Sequence, residues 1–71
     1  MTVNDVEALK NWLSRTGNLA DYNEDLIDNA IWCLKNGNTY RAQTSLNTVA
    51  KNLKNDGKPE AAKAVDKCLD K

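Results

Sequence analysis

What most constrains this chain is a helical hydrophobic period, cleanest between Asp21 and Leu34. Wound at ~100° per residue, DYNEDLIDNAIWCL puts Leu26, Ile27, Ala30, Ile31 and Leu34 on one side. Asp21, Glu24, Asp25 and Asp28 take the opposite side. Trp32 does not join the apolar stripe. It falls within the acidic side, a turn beyond Asp28 and a turn before Lys35, at the spacing of helical neighbours.

The same period runs through the rest of the chain, and glycine punctuates it. A first helix over 3–16 has the stripe Val3, Val6, Leu9 and Leu13, with Ala8 and Trp12 on its flank. Its start offers two capping boxes, Thr2 with Asp5 or Asn4 with Glu7, and Gly17 closes it. Trp12 borders the stripe, so it is expected to cover the core's edge. Leu19 should be pinned inward from the short corner that follows. The second helix spans 21–36, with Asp21 and Glu24 as a further capping-box candidate. The third, 39–55, starts on Asn38 or Thr39 and carries Ala42, Leu46, Val49, Ala50 and Leu53. Gly57-Lys58-Pro59 is a strong break: glycine to end one helix, proline pre-set for the first turn of the next. The fourth helix, 59–70, turns Ala61, Ala62, Val65, Cys68 and Leu69 inward.

No alternating run of β-branched and aromatic residues occurs, and phenylalanine is absent. Four short helices with links of two to five residues predict an all-α fold, a compact bundle of four short helices forming one domain over 1–71. At 71 residues the core is near the size at which burial only just offsets chain entropy. Residues 34–46 and 53–65 align without gaps through Leu34/Leu53, Lys35/Lys54, Asn36/Asn55 and Ala42/Ala61. Each identity is one that a helix end followed by a helix start tends to use. Asparagine clusters near helix ends for the same reason.

Ten basic and ten acidic residues leave no net charge, but they are unevenly distributed. Residues 1–36 hold six acids and three bases, and 37–71 hold four acids and seven bases. The expectation is that the two halves attract within one bundle; head-to-tail pairing with a second copy is the other arrangement. Met1 is followed by polar and acidic residues, with no basic and apolar leader, so the sequence predicts a cytoplasmic protein. No apolar run approaches the ~20 residues of a membrane span. Cys33 and Cys68 lie at semi-apolar helical positions and are expected as free, buried thiols.

Catalytic and cofactor chemistry finds little to work with. There is no histidine, hence no ordinary general base and no imidazole metal ligand. The cysteines lack CxxC spacing, and no glycine-rich phosphate loop exists. The acids of the second helix lack the loop pattern of a calcium hand. Asp25 and Asp28 could pair for acid–base work, but an exposed helix face leaves both in contact with water. The expectation is a non-enzyme with no metal and no cofactor.

Binding is what remains. Asp21, Glu24, Asp25, Asp28, Asn29, Trp32 and Lys35 form an acidic face around a tryptophan. Such a face suits a protein partner, one with a basic surface, that takes the indole as an anchor. The sequence therefore predicts an inhibitor, adaptor or regulatory subunit, with a homodimer as a variant of the same contact. A second face, Tyr40, Arg41, Thr44, Asn47, Lys51, Lys54 and Lys58, could instead contact a nucleic-acid backbone. Interspersed acids and a pI near 6.1 argue against that.

Overall fold

The computed structural model describes all 71 residues as four helices: α1 (Val3–Arg15), α2 (Asp21–Lys35), α3 (Thr39–Asn55) and α4 (Pro59–Leu69). Their ends lie within one residue of the sequence expectation. Each of the first three closes in the same way. At the end of α1, Gly17 N–H donates to Ser14 and Asn18 N–H donates to Leu13, at 3.2 and 2.8 Å. This is the paired 5→2 and 6→1 closure of a Schellman turn, and it needs a left-handed residue. Gly17 supplies it at φ 72°, where a Cβ would be strained. The ends of α2 and α3 repeat the closure around Gly37 and Gly57. The ungapped echo between 34–46 and 53–65 does not superpose the two turns, since Gly37 falls opposite Asp56 and Gly57 opposite Asn38.

Helix starts follow the sequence less evenly. Thr2 and Asp5 form the reciprocal capping box on α1, and Asn38 accepts from Arg41 N–H on α3. The box expected from Asp21 and Glu24 does not form. Ala20 is the N-cap of α2 and has no side chain to offer, so Asp21 and Glu24 serve the first turn only through the helix dipole. Pro59 opens α4 as its first residue.

Each helix packs on its neighbour in the chain, and α1 closes the ring on α4; α1 and α3 do not meet across it, nor do α2 and α4. The seams α2–α3 and α1–α4 are therefore opposite sides of one bundle. A radius of gyration of 10.7 Å, against about 11 Å for a compact chain of this length, shows how tightly the ring closes. Val6, Leu13, Ile27, Leu46, Val49, Leu53 and Val65 fill its centre with essentially no exposure. Trp12, Leu19, Leu26, Ile31 and Leu34 pack on this core from its margin, half-buried.

The helix α2 stripe is rotated from its expected setting. Asn23, Ile27, Ala30 and Cys33 are its buried residues, while Leu26, Ile31 and Leu34 flank them. Being wedged between α1 and α3, α2 uses both flanks of its apolar arc for neighbours and sinks the middle. Asn23 goes down with it. Its Oδ1 accepts from Asn52 Nδ2 at 3.0 Å, but its own amide N–H groups find no partner. An unpaired buried donor costs on the order of 1–3 kcal/mol.

The two halves of the sequence are not held together mainly by their opposite charges. Lys10 pairs with Asp28 and Glu24 inside the acidic half, and Lys54–Asp66 and Lys63–Glu60 lie inside the basic half. Only Lys71–Asp5, at 3.9 Å, joins the two. No helix is long and apolar enough to cross a membrane.

Candidate functional site

Helix α2 presents its acidic side outward, and Trp32 stands on it with 62% of its surface exposed. The helix places it there because Ile31 and Cys33, its chain neighbours, are the ones that face packed surfaces. Asn36 Nδ2 donates to the Trp32 carbonyl at 2.8 Å, so the backbone beneath the indole is anchored at the helix end. An indole left in water on an ordered helix is an uncommon use of the largest side chain.

The carboxylates expected around it divide into two groups. Asp28 accepts from Lys10 Nζ at 2.6 Å, and Glu24 lies 3.7 Å from the same ammonium. The Asp28 hydrogen bond holds the Lys10 pKa above its ordinary value. These two acids thus face α1 and tie it to α2. Asp21, Asp25, Asn29, Trp32 and Lys35 remain exposed, and none of these five has an ion-pair partner.

One side-chain contact joins α2 to α3 beside this face. Asn29 Nδ2 donates to Ser45 Oγ at 2.9 Å across the α2–α3 seam. Trp32 is one turn beyond Asn29 and Arg41 one turn before Ser45. In an antiparallel pair those two positions fall at about the same level along the helix axes. Arg41 is exposed and has no ion-pair partner. The outer face of α2 carries Trp32, with Asp25, Asn29 and Lys35 exposed on the same helix. Farther along α2, Tyr22 donates its hydroxyl to Asp56 in the α3–α4 turn, and that carboxylate pushes the phenol's pKa up.

The expected nucleic-acid face forms only in part. Tyr40, Thr44, Asn47 and Lys51 make one exposed row, with the Thr44 hydroxyl donating to the Tyr40 carbonyl at 3.1 Å. Lys54 turns toward Asp66 of α4 at 3.8 Å. Lys58 is half-buried at the α4 N-cap. Of the four cations, Lys54 alone has a carboxylate partner; Arg41, Lys51 and Lys58 have none.

A groove between α1 and α4 went unnoticed in the sequence. Ala8, Leu9, Trp12, Ala64 and Cys68 make its apolar floor, and its volume is about 490 Å³. Lys63, Lys67 and Lys71 stand along the α4 side, with Asp5 and Glu60 at the ends. The signal was available: Lys63 and Lys67, at i and i+4 beside Ala64, define one helix face.

Cys33 and Cys68 are free and buried on helices that do not touch, and burial pushes the Cys68 thiol pKa up. No group of three or more acids or cysteines is placed to hold a metal ion. Comparison with models of protein families, with curated proteins and with solved structures finds no match to this chain.

Proposed function

We propose that this chain is a non-catalytic docking module that binds a protein partner through the outer face of α2, with Trp32 as the anchor. The observation that carries the reading is the exposed indole. The large aliphatic side chains of α2 are buried or packed against the core, so the helix could have been sealed without a tryptophan there.

The sequestered acids narrow the partner. With Glu24 and Asp28 engaged by Lys10, the free charges on the outer face of α2 are Asp21, Asp25 and Lys35. The complementary surface is a pocket for an indole with cations opposite Asp21 and Asp25 and an acceptor opposite Lys35. Buried aromatic anchors ringed by polar contacts are where binding energy concentrates in such interfaces. An inhibitor, adaptor or regulatory subunit works in this way.

The test is affinity capture from the native host with the intact chain and with Trp32→Ala as baits. The reading expects a specific protein to be lost from the variant while the thermal melt barely moves. Capture unchanged by the substitution overturns it. A doubled mass in sedimentation that disappears with Trp32→Ala would identify the partner as a second copy.

A further inference from the structure

We propose that the α1–α4 groove is a second docking site, on the opposite side of the bundle from Trp32, and that it receives an acidic amphipathic helix of a protein partner. The groove runs along the seam between the two terminal helices. Its floor is apolar, and Ala8 and Ala64 in its middle leave room for a third helix axis to come close. Apolar faces of helices recognise grooves of this kind.

Charge selects the occupant. Lys63 and Lys67 are exposed one turn apart on α4, and Lys71, exposed beyond the helix end at Leu69, adds a third cation past the C-terminus of the helix. Lys67 has no carboxylate partner, and the pairs of Lys63 with Glu60 and Lys71 with Asp5 are loose, both 3.9 Å. Ammonium groups one turn apart match carboxylates at i and i+4 on a facing helix, with a third carboxylate toward Lys71. A single-headed amphiphile would use only one end of the row. A phosphate backbone would meet Asp5 and Glu60 at the groove's ends and waste the apolar floor.

The test uses the full chain carrying Trp32→Phe, which leaves Trp12 as the only indole and separates this site from the α2 face. The probe is a 14-residue helical peptide with leucines on one face and glutamates at three successive one-turn positions beside them. Controls are the same peptide with lysines for glutamates, a 12-nucleotide single strand and laurate. The expected result is saturable binding of the glutamate peptide, with amide shifts on α1 and α4 and a change in Trp12 fluorescence. Lys67→Glu, at an exposed and unpaired position, should weaken it at least tenfold. The proposal is overturned if the glutamate peptide does not saturate, if Lys67→Glu leaves its affinity unchanged, or if the lysine peptide, the strand or laurate binds the groove as well or better.

Discussion

The two tryptophans of this chain share a residue type and almost nothing else. Trp12 lies half-buried across the α1–α4 seam, packed on the core. Trp32 stands 62% exposed on α2, near the opposite seam. In the sequence Trp12 borders the apolar stripe of its helix, whereas Trp32 falls on the acidic side of its own, so helical phase already separates them. The neighbours each helix acquires complete the separation. Helix α1 closes the ring on α4 and draws the Trp12 ring into the joint. Helix α2 is already covered on both flanks by α1 and α3, and the side left over is the one that carries Trp32 and the acids. One indole therefore belongs to stability and the other to the surface available for recognition.

The largest effect that tests this contrast is on Trp12. Its truncation to alanine should cost about 2 kcal/mol, less than a fully buried ring because the site is half-open. For a domain this small that lowers the melting temperature by on the order of 10 °C in a calorimetric scan. A melt within 2 °C of the parent would put Trp12 outside the core and erase the contrast. Next in size, Trp32→Ala should weaken partner binding by on the order of 30-fold, the behaviour of an interface hot spot. In the same chain the stability change should stay within about 0.5 kcal/mol.

A smaller effect is expected where α1 begins. Thr2→Ala removes the capping box and should cost about 1 kcal/mol, read in urea unfolding, without touching α2. Loss of partner binding in that variant would show that the two ends of the molecule are coupled, which the contrast does not allow. The smallest effects are electrostatic. Lys10→Met should cost no more than about 0.5 kcal/mol, as exposed ion pairs do. Folding raises the Lys10 pKa from 10.5, so its contribution is complete below that value and is lost as pH rises above it. Folding lowers the Asp5 pKa from 3.8, chiefly through the Thr2 backbone N–H, so its contribution is present above 3.8 and is lost as pH falls. Stability against pH should therefore fall at both extremes, and Asp5→Asn should flatten only the acid limb.

Helix placement was legible because the signals are local. A glycine in the left-handed region after each of three helices, a proline at the start of the fourth and a 3.6-residue period leave little else for the backbone to do. The outward setting of Trp32 was legible on the same ground, since it follows from phase along one helix. Long-range geometry was not. Nothing in the order of residues says that Lys10, eighteen positions away, reaches Asp28, because that depends on how α1 and α2 come into register. Nor does the sequence show the Asn29–Ser45 contact across the α2–α3 seam, for the same reason. The burial of Asn23 came from the same source: the side of α2 that sinks is decided by two packing partners, and its own periodicity could place the stripe only to within part of a turn.

The central claim is that Trp32 meets solvent in the folded protein. Acrylamide quenching of single-tryptophan chains tests it directly, and the quencher is uncharged, so nearby carboxylates do not bias access. With Trp12→Phe, Trp32 should be quenched nearly as readily as a free indole, and with Trp32→Phe, Trp12 should be markedly protected. Equal protection of the two rings in the native state, released together on unfolding, would contradict the account.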